Sequence, residues 1–473
     1  MSFKDCHIPN CIYQALILTN ACRGCHNQYC YQHVEPETHQ CQDQKQVKRN
    51  GVESWYEPEV SQLMALIDTR SIEEEVQSLS GKVVTKAHFD KSNWRRLAIG
   101  QMVGSCNFHV KIEFEDGTFW VMRLRRRAVR DCSDEPIRLN VESEVATCQA
   151  LHQGGVSVPM AFCRPPDSRL HPKLIYCYQT FVDRKAWSPF GRQTSFNDPL
   201  TPSSIHHVQS VAEWFISMEK VKFSMVGSPV LVEGEIQVGS LIERRPASTL
   251  PPYYQGPFTT AKAKWLAVID GRLKHILDRT YCESQWEIIL YLALKEVRSL
   301  VEGCEEMDRS GEFYIKHDDD RYDHIRADAS GTVTGVIDWE WAYTTNKEEA
   351  FSSPTGWVPP EYDQGNNDVF SNRENALIEG YINLNRPDLA DMVRKSRKYH
   401  RLIYLLRHMK PSVLSLNALR RAFLGQPDDH TGQPDTMQGW LDTMKDKYSS
   451  DIGLQSLIGD IAATAKNSAT QKD

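Results

Sequence analysis

The sequence predicts an α+β protein in two parts: a small metal-folded module, then a bilobal domain with a β-rich first lobe and a helical second lobe. Three observations predict it. Six cysteines and four histidines crowd residues 6–41, and two of the histidines, His33 and His39, join the cysteines in ligand-type spacing. Apolar residues alternate with period two between Phe108 and Leu124, and from Ile205 onward they recur mainly at helical spacing.

The crowded segment holds Cys6, Cys11, Cys22, Cys25, Cys30, His33, His39 and Cys41. Zn²⁺ takes four tetrahedral ligands from thiolate and imidazole, so eight such residues are the complement of two structural ions. A segment this short cannot bury enough apolar surface to fold unaided, and metal binding supplies the missing free energy. The ligands fall into four close pairs, each able to form one knuckle. The first and third pairs are expected to share one ion, the second and fourth the other, since interleaved sites tie a segment together better than sequential ones; spacing alone leaves that pairing open. A disulfide framework is the competing reading, because six is an even number. It needs an oxidising compartment. The mildly apolar residues 11–21 are interrupted by Gln14 and Asn20, and no small-residue cleavage site follows them, so no secretory signal is expected.

From Cys22 to Cys41 the spacing is C-x2-C-x4-C-x2-H-x5-H-x-C, and in this the segment resembles the AN1-type zinc finger. The first pair departs from that family, with four residues between Cys6 and Cys11 in place of two. The resemblance covers residues 1–45 and implies a structural module, all of whose metal positions are filled by protein. It also implies a protein partner of the ubiquitin-, chaperone- or proteasome-linked kind.

The 473 residues leave room for that module and one large domain. Apolar residues are 40% of the chain and aromatics 10%, ordinary for a soluble protein, and no run of 18 apolar residues would span a membrane. A net charge of −7 gives no electrostatic case for nucleic acid as the main partner. Arg123, Arg125, Arg126, Arg127 and Arg130 form a local basic cluster, readable as a solvated face or as phosphate contacts. Seven further cysteines are scattered without pairing, as in a reduced intracellular protein. The expected location is the cytoplasm, with the nucleus also open to it.

Residues 46–93 read as a linker with amphipathic helices: Val60, Leu63, Met64 and Ile67 fall at helical spacing, and Ile72, Val76 and Leu79 repeat it. Residues 94–185 form the predicted first lobe. There Phe108–Phe114 and Phe119–Leu124 flank an Asp-Gly turn and predict a hairpin, residues 140–153 a helix, and Leu174–Tyr178 a strand. Residues 186–425 form the second lobe, with helices through Ile205–Met218 and Trp286–Leu300 and a long one opened by Pro387. Residues 426–473 read as a helical and polar tail.

The chemistry-bearing stretch is His317-Asp318-Asp319-Asp320, with His324 five residues after Asp319, then Val336-Ile337-Asp338-Trp339-Glu340. A carboxylate in a loop, a ligand-type side chain five residues on, and another carboxylate after an apolar strand are parts that phosphoryl transfer needs. One carboxylate orients a hydroxyl, and the other clamps a cation on the nucleotide phosphates; Mg²⁺ needs only one or two protein carboxylates beside water and phosphate. Taken alone, three consecutive aspartates are an ordinary solvated loop.

This stretch resembles the H-x-D-x-x-x-x-N loop and I-D-W-E strand of the aminoglycoside phosphotransferase family, which has a protein-kinase-like fold. The resemblance spans about residues 94–410 and implies binding of ATP and Mg²⁺. It implies that His317 braces the loop, that Asp319 orients the acceptor hydroxyl, and that Asp338 holds Mg²⁺. The family's asparagine is replaced by His324, a poor Mg²⁺ ligand; fungal members show histidine in a comparable loop. Gly104, Ser105 and Asn107 precede the hairpin where backbone amides would face phosphates. Arg123 stands where the family has its phosphate-pairing lysine, with Glu144 as its expected partner. Arginine keeps the charge but changes the geometry. The implied activity is transfer of the ATP γ-phosphoryl group to a hydroxyl of an unidentified small molecule or protein. The rival is a catalytically weak adaptor that works through the finger. Trp339 and Trp341 are expected in the core.

Overall fold

A computed structural model describes residues 3–5, 14–16, 57–89, 106–126, 134–182, 199–244, 255–282, 284–320, 322–407, 411–428 and 432–459. All eight expected zinc ligands, together with Gly104, Ser105, Arg127 and Arg130, lie outside the described residues. The chain divides into units of residues 1–65 and 66–473. In the first, β1 (Phe3–Asp5) pairs antiparallel with β2 (Gln14–Leu16), and α1 (Glu57–Leu66) closes the unit.

The second unit opens with α2 (Thr69–Ser80), capped by the Asp68 carboxylate on the Arg70 amide and ended by Gly81 in the left-handed region. Then come β3 (Val84–His88), β4 (Asn107–Phe114), β5 (Phe119–Arg125), helix α3 (Asp134–Gln153), β6 (Ala161–Cys163) and β7 (Tyr176–Thr180). The strands form one antiparallel sheet in the order β3-β4-β5-β7-β6. The alternation that predicted the hairpin has a physical counterpart: Phe108, Val110, Ile112 and Phe114 are buried, while His109, Lys111 and Glu113 are less so. Gly117, at φ +77°, makes the turn between β4 and β5. β3 falls in the segment read as linker; its burial pattern lacks a clean period-two signal, so composition concealed it.

The remainder is mostly helical. It comprises α4 (Pro202–Met218), the hairpin β8 (Ser228–Val232) and β9 (Glu235–Gly239), α5 (Ala261–Leu277) and α6 (Ser284–Glu302). Next, β10 (Tyr314–Lys316) leads to the hairpin β11 (Ile325–Ala327) and β12 (Val333–Val336), and β13 (Tyr343–Thr345) returns to pair with β10. One hairpin is thereby nested inside another pair. Short helix α7 (Lys347–Ala350) precedes α8 (Asn372–Asn383), whose N-terminus carries a Ser371/Glu374 capping box. The predicted helix from Pro387 is two helices, α9 (Pro387–Arg394) and α10 (Arg397–Arg407). α11 (Val413–Leu424) and α12 (Met437–Lys447) follow.

Two apolar cores result. One joins α3 and the inner face of β7 to α4, Trp339 and Tyr381. The other joins α5, α6, α10 and α12, with Trp440 fully buried and its indole N–H donating to Glu296 at 3.0 Å. Trp440, Met444, Leu454 and Leu457 therefore belong to the core, although polar residues dominate their surroundings in sequence. Among the described residues no helix is long and apolar enough to cross a membrane.

Candidate active site

The nested strands decide what meets at the site. β10 and β13 run side by side, so the loop after β10 (317–324) and the segment after β12 (337–341) emerge together. They are locked to each other: the Ile337 amide donates to the His324 carbonyl at 3.1 Å, and His317 Nε2 donates to the Ile337 carbonyl at 3.0 Å. That leaves Nδ1 of His317 to accept from the Asp319 amide at 3.2 Å. Burial, with His324 as the next cause, pushes the His317 pKa down, in keeping with a neutral ring that serves as a donor-acceptor brace.

Asp338 sits at φ +69° and Trp341 at +68°, conformations sparsely populated by residues other than glycine. Such strain persists only where surrounding contacts fix it, and it concentrates at functional sites. Here the contacts are strong. Arg123 Nη2 donates to Asp338 Oδ1 at 2.7 Å, and His324 Nδ1 lies 3.3 Å from Asp338 Oδ2. Burial alone would raise the Asp338 pKa, but Arg123 and then His324 outweigh it and hold the carboxyl well below its usual range.

Arg123 comes from β5 and reaches three elements. Its Nε lies 3.2 Å from Glu144 Oε1 on α3, and Nη1 is 3.4 Å from His109 Nε2 on β4. Gln179 of β7 donates to the same Glu144 oxygen at 2.9 Å. Burial would lower the Arg123 pKa, but Glu144 and Asp338 raise it above the normal arginine value. Beside it, Arg125 is buried against Glu340 and Asn140, and Asn107 donates to Glu340 at 3.2 Å. Arg123, Arg125 and Arg126 are thus buried, and the reading of the basic cluster as a solvated face does not hold for them. The Asn107 side chain joins the Arg125–Glu340 pair, accepting from Arg125 at 3.3 Å.

Asp319 is held from two sides. Arg244 Nη2 lies 3.0 Å from its Oδ2, and His324 Nε2 lies 3.8 Å from the same oxygen. The His324 ring therefore stands between Asp319 and Asp338. Asp318 points elsewhere, to Arg407 at 2.6 Å. Asp320 is structural: it accepts from Lys316 at 2.6 Å and from the Thr355 hydroxyl at 2.7 Å, and Lys316 and Thr355 bring its pKa down to about 2 against the opposing effect of burial. The structure brings His317, Asp319, His324, Asp338, Arg123 and Glu144 into one connected network. It adds Arg244 and Gln179, which no local sequence pattern marks, and joins Arg125 to Glu340, a pairing that neither residue's neighbourhood reveals.

The donor set admits a divalent cation on one hard oxygen ligand, Asp338, with water and phosphate oxygens for the rest. His324 supplies nitrogen where a second hard ligand would stand. Among the described residues no group of three His, Cys, Asp or Glu side chains is arranged to hold a metal.

No protein-family model matches the chain. No curated protein matches it either. Solved structures do. A candidate fructosamine-3-kinase from Thermobifida fusca is 13% identical over 76% of this chain and 100% of its own, with a TM-score of 0.43. A Plasmodium vivax ethanolamine kinase is 12% identical over 75% of this chain and 82% of its own, at 0.38. A macrolide 2'-phosphotransferase type I is 14% identical over 77% and 99%, at 0.35.

Proposed function

We propose that residues 66–473 are a kinase-like phosphotransferase that moves the terminal phosphoryl group of ATP to a hydroxyl. The observation that carries this reading is the chain Glu144–Arg123–Asp338–His324–Asp319, which links α3, β5 and two loops through contacts of 3.2, 2.7, 3.3 and 3.8 Å. Phosphoryl transfer asks little covalent chemistry of the protein and much positioning. Asp319 orients the acceptor hydroxyl and takes its proton. Arg123, fixed by Glu144, neutralises phosphate charge, and Asp338 is the carboxylate that would hold Mg²⁺, which supplies charge neutralisation on the nucleotide when bound. His317 keeps Asp319 at its post.

ATP with Mg²⁺ is expected to raise the melting temperature of the full chain. A ligand at a hundred times its Kd adds about 2.7 kcal/mol to stability. Asp338→Ala is expected to abolish the shift. The same curves for both proteins, with no displacement by nucleotide in either, would sink the reading and leave the adaptor role standing.

Residues 1–45 are, in the same proposal, an AN1-type finger with two structural zinc ions on Cys6, Cys11, Cys22, Cys25, Cys30, His33, His39 and Cys41. Its support is the ligand spacing from Cys22 to Cys41. Its part would be to bind a protein partner, and the acceptor of the phosphoryl group is a small molecule or a protein hydroxyl. Metal analysis of the purified chain is expected to give two zinc ions. A single ion would remove Cys6 and Cys11 from the ligand set.

A further inference from the structure

Beside Asp318 opens a solvent-facing pocket whose walls carry Arg244, Lys264, Arg272, Arg407, Trp341 and Tyr343, and Arg244 connects it to Asp319 at 3.0 Å. A site built for an amine-bearing acceptor would turn carboxylates toward the ligand. Here each carboxylate around the pocket is already matched to a cation. Glu243 meets Arg272 at 3.0 Å, Asp318 meets Arg407 at 2.6 Å, Asp319 meets Arg244 at 3.0 Å, and Glu349 meets Lys264 at 3.1 Å.

The cations differ in how far they are committed. Lys264 and Arg272 have side chains only 1% and 4% exposed, whereas Arg244 and Arg407 retain 32% and 22%. What the pocket shows an incoming molecule is therefore two guanidinium groups beside aromatic walls. Arg244 also occupies Asp319 Oδ2, so a hydroxyl that is to donate to Asp319 competes with it. A guanidinium displaced into a partly dry pocket is costly without a new partner.

We propose that this pocket binds the phosphoryl acceptor, and that the acceptor bears an anionic group, carboxylate or phosphate, which takes Arg244 from Asp319 as the hydroxyl docks. The inference rests on the phosphotransfer reading and names its acceptor class. The acceptor oxygen forms the new P–O bond to the γ-phosphorus, the bond from that phosphorus to the β,γ-bridging oxygen breaks, ADP leaves with the electron pair, and the hydroxyl proton passes to Asp319. Guanidinium suits both anions because its fork matches their paired oxygens. An amine on the acceptor would face Arg244 and Arg407 and be repelled.

The test uses the full chain with ATP and Mg²⁺ and four matched probes: glucose, glucosamine, glucuronate and glucose 6-phosphate. Binding is read by calorimetry and transfer by ADP release. At least one of the two anions is expected to bind tenfold or more tightly than glucose, with glucosamine weakest, and the two anionic arms tell carboxylate from phosphate. Arg244→Gln is expected to erase the preference, Arg244→Lys to keep part of it, and neither to alter ATP binding. Overturning results are a preference for glucosamine, an anion preference that survives Arg244→Gln, or binding of none of the four. ATP binding in the same samples keeps the two ideas apart: nucleotide binding without anion selectivity fails only the acceptor class. Anion selectivity without nucleotide binding fails the phosphotransfer reading.

Discussion

Asp319→Asn is expected to lower phosphoryl transfer by about 10²–10⁴-fold while nucleotide binding stays as it was. The substitution keeps the size of the side chain and the backbone hydrogen bond from the Asp319 amide to His317. It removes the carboxylate charge that orients and deprotonates the acceptor hydroxyl. Asp319→Asn leaves Arg244 without its carboxylate partner, and since the two side chains, Arg244 and Asp319, are 32% and 12% exposed, some loss of stability accompanies the loss of activity. The Arg123–Asp338 contact belongs to another side of His324 and is untouched. ADP release separates this outcome from a folding defect when the melting curve and its response to ATP are recorded alongside. Activity within threefold of the parent would take Asp319 out of the mechanism.

Much of this site could be read from the chain because its parts are local in sequence. His317, Asp319, His324 and Asp338 fall within 22 residues, and apolar strands on either side mark where they must emerge. Glu144 was reachable only through the resemblance, as the expected partner of Arg123; the helix that carries it begins at Asp134, six residues before the predicted start. Arg244 was not. It follows a short hairpin without special spacing, and only the three-dimensional path brings it to Asp319. The Arg125–Glu340 pair was concealed for the opposite reason: a run of arginines looks solvated, yet an inward-facing arginine can be matched by a carboxylate 215 residues away. The same limit governs α12 and the residues after it. Composition reads them as polar, while a few large apolar side chains, Trp440 above all, decide that they pack. The break between α9 and α10 is likewise invisible to periodicity, because both halves keep helical spacing across Lys395 and Ser396.

Glu349→Ala is expected to be among the most destabilising single changes, by about 3–5 kcal/mol, since it strands a buried charge. Glu349 is fully buried and accepts from Lys264, from the Trp265 indole at 3.1 Å, from the Tyr343 hydroxyl at 2.7 Å and from the Thr345 hydroxyl at 2.6 Å. Lys264 is equally enclosed, its ammonium 3.8 Å from the Trp265 ring centre and 4.1 Å from that of Tyr343. Burial already brings the Lys264 pKa down to about 8, against the pull of Glu349. Without Glu349 that opposition vanishes and the lysine pKa falls further. Between its folded value and the unfolded one near 10.5, the unfolded chain then binds more protons than the folded one, so stability rises with pH across that window. Denaturant unfolding of Glu349→Ala from pH 7 to 10 is expected to recover part of the loss as pH increases, more steeply than the parent does. The double variant Lys264→Met with Glu349→Leu is expected to be more stable than Glu349→Ala alone, because it removes both charges and keeps the volume. A Glu349→Ala protein as stable as the parent, or one that weakens as pH rises, would show that Lys264 does not carry its charge in the folded core.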